Sequence, residues 1–374
     1  MVIAMNMEGI SFQSQKEVMM KLRSFIALFI GVMLITHCSF AEDGMPVKEG
    51  DSLIHVSKEL TSPFLHLVID ADVQMVETGT RLPTYRTHYP PSTKEAWLEV
   101  FFGDPQAEVV DSLAKESKEE LLSSLVEDAE RERAYSLGEK STRYQSYFCA
   151  LVYNSTRREI VRNISSAIEG VQADGLSTTP EQARKIAQSW IEQLSSKLGW
   201  KDFLWSRTYA LPSNDGKHVE DLKNYISTGI YLVEYERFLN GIPVARDVLP
   251  NSEIEGDVLQ LYIDDEGLLR IDGVCRSYTE QGSAVINISL EDALIILEEN
   301  MDYVNAFPDN DSDGFVIREV GLCWRLIPTL PQDNWDYHAV MEARPAWRFA
   351  SNICRNQTNV FVMYIDAETG EVLE

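Results

Sequence analysis

The chain has 374 residues, long enough for two or three domains, and its 44% hydrophobic and 25% charged residues suit a globular protein with a sizeable core. Acidic residues outnumber basic ones 59 to 33, a net charge of -26. Such a charge argues against nucleic acid and anionic membrane surfaces as partners; basic ligands or divalent cations are better candidates, and an acidic surface that keeps the protein in solution is the favoured reading.

In chain order, Lys21 and Arg23 precede the apolar run Phe25 to Ile35. That is the basic-then-apolar order of an export signal, and the run is too short to span a bilayer stably. Ser39-Phe40-Ala41 offers small residues at both positions a signal peptidase reads, so residues 1–41 are expected to be removed, with 1–18 an upstream start artefact ahead of Met19 and Met20. Cys38 leaves a second route open, lipid attachment, although His37 stands where a very small residue is expected. Either route places the protein outside the cytoplasm, secreted or attached to the outer face of the cell membrane, with membrane contact only through that anchor.

Residues 42–62 are polar and lack a period, and read as a tether. An α+β module is expected over 63–153. Leu67, Ile69, Ala71, Val73 and Met75 alternate with more polar residues, marking a strand. A second strand covers Thr84 to His88. Ser92 and Glu95 form a capping box for a helix stopped by Gly103, and Ser117 with Glu120 opens another. An aromatic strand from Tyr144 to Tyr153 closes the module, and 154–177 reads as a linker.

Two copies of one unit follow, over 178–273 and 285–374. In the first, Thr179, Pro180 and Gln182 start a helix whose apolar stripe runs through Ala183, Ile186, Ala187, Trp190, Ile191, Leu194 and Leu198. Strands are expected over Phe203 to Tyr209, Gly229 to Leu239, Asp257 to Ile263 and Leu268 to Ile271. The second opens at Ser289, with Glu291 and Asp292 favouring the helix dipole. Thr179-x-Glu181-x-Ala183 matches Ser289-x-Glu291-x-Ala293, and Tyr262-Ile263-Asp264 matches Tyr364-Ile365-Asp366. Each copy is one helix packed on an antiparallel sheet, so the fold class is α+β.

The capped helix, the closing Tyr364-Ile365-Asp366-Ala367-Glu368-Thr369-Gly370-Glu371-Val372 and the strand Arg344-Pro345-Ala346-Trp347-Arg348-Phe349 resemble the PepSY domain of secreted bacterial proteins. The first copy lacks the Trp motif and has a shorter turn. The resemblance implies non-enzymatic inhibition, chaperoning or regulatory binding. Within the motif, Asp366 and Gly370 suit a tight turn.

Candidate chemistry is sparse. Asp309-Asn310-Asp311-Ser312-Asp313-Gly314 begins like a calcium loop, making Asp309, Asp311 and Asp313 the candidate ligands. Val320 stands where the twelfth-position Glu belongs, and an acidic turn is the favoured reading. His55, His66, His88, His218 and His338 show no paired metal spacing. Glu234 and Glu236 share a strand face, expected to be hydrated unless a cation separates them. Trp190, Trp200, Trp205, Trp324 and Trp347 read first as core, with a groove between the copies as the alternative. Cys149, Cys275, Cys323 and Cys354 permit disulfides, with Cys323–Cys354 the preferred pair if any forms and buried free thiols an equal alternative.

No catalytic or cofactor-binding residue and no cofactor is assigned. The expected function is non-catalytic binding or regulation in the bacterial cell envelope, the partner being another envelope or secreted protein. The alternative is an envelope hydrolase assembled from His66, His88 or His338 with carboxylates.

Overall fold

The alternating stretch near the N-terminal end forms its strand as the period requires: β2 (His66–Gln74) buries Leu67, Ile69, Ala71 and Val73 along one face. The computed structural model describes residues 53–63, 65–90, 92–111, 132–145, 149–155, 168–173, 175–212, 227–246, 256–301, 314–332, 334, 337–351 and 361–373. All lie in the unit Glu49–Glu374. The chain begins with β1 (Leu53–Thr61), then β2, β3 (Arg81–His88), helix α1 (Lys94–Phe102) and β4 (Val110–Asp111). A meander of β5 (Glu132–Leu137), β6 (Lys140–Gln145) and β7 (Ala150–Asn154) follows, then the short β8 (Ile168–Glu169).

The first repeat comprises α2 (Pro180–Leu198), β9 (Phe203–Pro212), β10 (Ser227–Leu239), β11 (Ile242–Pro243), β12 (Val258–Asp264) and β13 (Gly267–Val274). After β14 (Ser277–Val285) the second comprises α3 (Leu290–Asn300), β15 (Phe315–Pro328), β16 (Met341–Ser351), β17 (Val362–Asp366) and β18 (Val372–Leu373). The fold is α+β. One sheet runs β1-β2-β15-β16-β17-β18, with β3 joining β16 and β14 joining β3; the other runs β4-β5-β6-β7-β13-β12-β10-β9-β8, with β11 on β10.

Several elements differ from the sequence reading. The span taken as a tether, 42–62, contains β1, paired antiparallel with β2 along its whole length. Most of its side chains are exposed, and its inward positions alternate through Val56, Lys58 and Leu60, where the lysine interrupts the apolar period. Residues 63–153 do not build a sheet of their own. β2 pairs parallel with β15 and β3 pairs with β16, whereas β7 pairs with β13. Partners this distant in sequence leave no local trace. The stretch Tyr144 to Tyr153 is a hairpin arm, β6 turning into β7, rather than one strand. Helix α1 is capped by Thr93, not Ser92: the Thr93 hydroxyl accepts from the Ala96 amide. The helix expected after Ser117 lies outside the described residues.

Each repeat unit is a helix on a four-stranded antiparallel meander, β9-β10-β12-β13 under α2 and β15-β16-β17-β18 under α3. α2 has the expected capping box, Thr179 with Gln182, and a left-handed Gly199 at its end. It buries Ala183, Ala187, Ile191, Leu194 and Leu198, and Ile186 and Trp190 are partly buried against the same core. α3 carries its own box, Ser289 with Asp292, and buries Leu290, Ala293 and Leu297 against β2, β15, β16 and β17. Each fully buried aliphatic chain stabilises by ~1.5–3 kcal/mol.

The missing tryptophan of the first copy has a substitute. Trp347 stands opposite Ile365 and donates from Nε1 to Ile288 O, 2.8 Å, just ahead of α3. Tyr231 holds the matching register, opposite Ile263, and its hydroxyl accepts from the Ala173 amide, 2.9 Å, ahead of α2. Both side chains tether the segment leading into a helix to the sheet beneath.

The shared turn does the same from the other side. Asp366 Oδ1 accepts from the Glu368 and Thr369 amides at 2.8 and 2.9 Å, and Asp264 Oδ1 from Glu266 at 2.9 Å, so these aspartates shape the turns. Gly370 and Gly267 take the positive φ that each turn needs. The next position clasps the two residues before the helix cap. Ala367 O accepts from the Asn287 and Ile288 amides, 2.9 and 3.0 Å. In the first copy the Asp265 carboxylate takes that place, accepting from Ser177 at 3.0 Å and Thr178 at 2.7 Å.

These amides hold the Asp265 carboxyl down at about 2. A depressed carboxylate stabilises above its ordinary value, 3.8, and that contribution is lost as pH falls through about 2. Asp265→Ala is therefore expected to accelerate hydrogen exchange at the Ser177 and Thr178 amides while leaving Asn287 and Ile288 unchanged. Equal acceleration at both pairs would contradict the assignment.

Candidate functional site

The period of two along β9, β10 and β12 turns Tyr231, Val233, Tyr235, Leu259, Leu261 and Ile263 towards α2, and Leu232, Glu234, Glu236, Gln260 and Tyr262 to the opposite face. In the other sheet Trp347, Phe349, Met363 and Ile365 face α3, leaving Ala346, Ala350 and Tyr364 on the helix-free face with Arg348 between them in sequence. The helix-free faces carry the polar residues, and the sheets are linked there.

The linkage is partly ionic, beside the Ala245 amide donating to Trp324 O at 2.9 Å and Trp324 Nε1 to Leu239 O at 3.0 Å. Glu319 on β15 receives Arg348 Nη1 at 2.6 Å from its own sheet and Arg207 Nη2 at 3.1 Å from β9 of the other. Arg246, just beyond β11, donates to Glu236 at 2.5 Å and lies 4.0 Å from Glu234. Gln260 donates to Glu234 at 2.6 Å, and the Ser206 hydroxyl to Glu236 at 2.8 Å. Burial pushes the Glu319 carboxyl up, but the Arg348, Arg246 and Arg207 guanidiniums outweigh it and hold the group below its ordinary value. Three arginines and three glutamates thus neutralise one another in a half-dry layer.

A second cluster is fully buried. The Asp257 carboxylate accepts from the Arg276 amide at 2.8 Å and from Arg276 Nη1 at 2.7 Å, and Arg276 Nε donates to His338 O at 2.9 Å. Neither side chain is more than 1% exposed. Beside them the Arg237 guanidinium lies over the Phe203 and Tyr278 rings, 5.1 and 5.3 Å from their centroids, with Nη2 3.8 Å from Asp202. Burial, and then the Asp257 carboxylate, pushes the Tyr278 phenol well up, so it stays protonated. This cluster sits where the chain leaves β13 of one sheet for β14 of the other.

The sequence candidates fall as follows. Glu234 and Glu236 do share a face, but it is not hydrated: Glu234 is 4% exposed, and the Arg246 guanidinium is the cation that separates their charges. His55 contacts Asp72 at 2.9 Å and Asp70 at 3.4 Å, and His66 contacts Glu59 at 2.8 Å, all on the outer surface of β1 and β2. His88 is paired in register with Ser277, and His338 packs its ring edge-on against Tyr337, 5.2 Å between centroids. The His338 carbonyl accepts from Arg276 and His88 pairs with Ser277, so both backbones adjoin the Arg276–Ser277 segment; His218 lies outside the described residues.

Trp200, Trp324 and Trp347 are core, at 0–1% exposure. Trp205 is half-buried with Arg184 over its ring at 3.9 Å, and Trp190 is partly buried in the same core as Tyr153. Asp309, Asp311 and Asp313 lie outside the described residues, as do Cys38 and Cys354, so the Cys323–Cys354 pairing has only its Cys323 half on view, buried with Ala346 and Ala350. Among the described residues no group of three or more His, Cys, Asp or Glu is placed to hold a metal ion. Sequence reasoning missed Arg207, Arg246, Glu319, Arg348, Asp257 and Arg276. The available signal was a charged residue inside an otherwise apolar strand, as in Trp347-Arg348-Phe349.

No family model matches the chain, and no curated protein matches it. Among solved structures it is similar to an uncharacterised protein from Eubacterium rectale ATCC 33656 (TM-score 0.42, 13% identity, covering 82% of this chain and 90% of that one). It is also similar to YycH from Bacillus subtilis (TM-score 0.35, 10% identity, covering 83% of this chain and 56% of that one).

Proposed function

We propose that the protein is a non-catalytic binding or regulatory component of the bacterial cell envelope, acting outside the cytoplasm through another envelope or secreted protein. The observation that carries this reading is how the interior charges are occupied. Glu234, Glu236 and Glu319, together with Arg207, Arg246 and Arg348, neutralise one another where the two repeat units join. Groups held this way fasten two sheets into a rigid scaffold; a general acid or base instead needs a partner it can exchange protons with. The PepSY-like capped helices and turns support the same reading, since the residues that recur between copies cap a helix or shape a turn. The export order at Lys21 to Ala41 supports the location.

Crosslinking in intact cells, followed by tag purification from the envelope fraction, tests it. A discrete crosslinked partner is expected that a control exported protein carrying the same tag does not recover. The reading fails if purified protein hydrolyses an envelope polymer and His88→Ala or His338→Ala abolishes that hydrolysis without unfolding the chain.

A further inference from the structure

The ladder between β7 and β13 runs in a constant register from Arg270 opposite Asn154 to Val274 opposite Ala150. Its hydrogen bonds alternate. At one end the Ser155 amide donates to Leu269 O at 2.8 Å, and at the other the Cys275 amide donates to Cys149 O at 3.0 Å. Both bonds fall on the same alternate set of pairs, so Cys275 and Cys149 are the next directly opposed, hydrogen-bonded residues beyond Val274 and Ala150. Residues so placed in regular extended strands have Cα atoms about 5.5 Å apart, inside the range of about 4.4–6.8 Å that a disulfide spans.

We propose that Cys149 and Cys275 form a disulfide that closes the end of this ladder, an oxidative modification expected of a chain that matures outside the cytoplasm.

Two further observations point the same way, and a third sets the movement that the bridge requires. Both residues are free thiols in this structure and fully buried, at 0% exposure. The Tyr144 hydroxyl donates to Cys275 O at 3.3 Å and also reaches the Cys149 thiol, so one phenol touches both cysteine residues. Cys149 also ends the β6–β7 hairpin loop at φ 52, a left-handed position that favours Gly or Asn over a residue with a bulky Cβ. That φ turns the Cys149 side chain towards Val274 and Ala339, whereas Cys275 lies with Leu151, Tyr153 and Ile271. Relaxing Cys149 into the extended conformation of the strand it adjoins returns its Cβ to the face of Cys275 by the period of two. The bridge thus requires the Cys149 backbone to leave its left-handed conformation.

The location suits a staple. Cys275 immediately precedes Arg276, at the point where the chain crosses from one sheet to the other, and Cys149 sits on the meander that precedes both repeats.

The chemistry balances as thiol–disulfide exchange with a low-molecular-weight disulfide such as oxidised glutathione. The Cys149 thiolate attacks one sulfur of the oxidant, breaking its S–S bond and releasing one glutathione thiolate. The Cys275 thiolate then attacks the Cys149 sulfur of the mixed disulfide and releases the second. Two protein thiols are oxidised, one disulfide is reduced to two thiols, and the two thiol protons pass to the leaving thiolates. Burial of both sulfurs places this step before β7 and β13 close.

The test is refolding of the unfolded, reduced full chain in a mixture of reduced and oxidised glutathione, quenching with iodoacetamide, and mass spectrometry of an unreduced tryptic digest. A linked pair of peptides carrying Cys149 and Cys275, separated by dithiothreitol, is expected as the main cysteine product. Separate alkylation of both residues, or a link from either to Cys38, Cys323 or Cys354, would overturn the proposal. Because glutathione supplies the oxidising conditions, the outcome does not depend on the export reading, which N-terminal sequencing of the cellular protein tests on its own. As a second readout, dithiothreitol should lower the urea midpoint of the wild-type protein and leave that of Cys149→Ser unmoved; an equal shift in both would count against the bridge.

Discussion

Arg276→Met is expected to destabilise the protein by about 3–5 kcal/mol, the cost of leaving one member of a buried ion pair without its counter-charge. The substitution removes the 2.7 Å contact to Asp257 and the donor to His338 O, while the Asp257 carboxylate stays buried at 0% exposure with the 2.8 Å amide bond still made. Asp257→Leu should cost a similar amount, because it strands the Arg276 guanidinium. The double replacement should recover much of the loss, since apolar side chains of like volume avoid the desolvation of both charges. Urea denaturation of the four proteins forms the cycle. Additive losses in the double variant would mean that the two groups stabilise independently, contrary to their geometry.

Glu319→Gln is expected to cost about 2–3 kcal/mol, in line with losing hydrogen bonds to charged groups, and to change the acid sensitivity of the fold. Glu319 is the carboxylate through which Arg207 of one sheet and Arg348 of the other are joined. Its folded-state carboxyl lies below the ordinary 4.5, so it contributes stability that is complete above about that pH and is lost as pH falls through the lower, folded value. Wild type should therefore lose stability more steeply than Glu319→Gln on acidification below 4.5, and the two denaturation midpoints should converge. Parallel curves would show that Glu319 titrates alike in the folded and unfolded chains. Arg207 and Arg348 would face each other without a shared anion in the variant, so added salt should recover part of the loss at neutral pH.

The repeat units were legible because their signals are local. Thr179 and Ser289 cap helices through residues three positions on, and Asp366 with Gly370 shapes a turn within five. The fate of residues 63–153 was not legible, since β2 finds β15 and β7 finds β13 far along the chain. The same distance hid the ionic layer. Glu234 and Glu236 could be placed on one face by their spacing, but whether that face met water or another sheet depended on Arg246 and on the opposing sheet.

The sequence alone thus determined the α+β class, the two capped helices with their meanders, and the turn aspartates, because each depends on bonds between residues a few positions apart. Only the tertiary structure decided which strands share a sheet, that Tyr231 replaces the absent tryptophan, and that Cys149 stands opposite Cys275. Those outcomes follow from pairing across long loops, where side-chain periodicity marks a face for burial but carries no record of what will cover it.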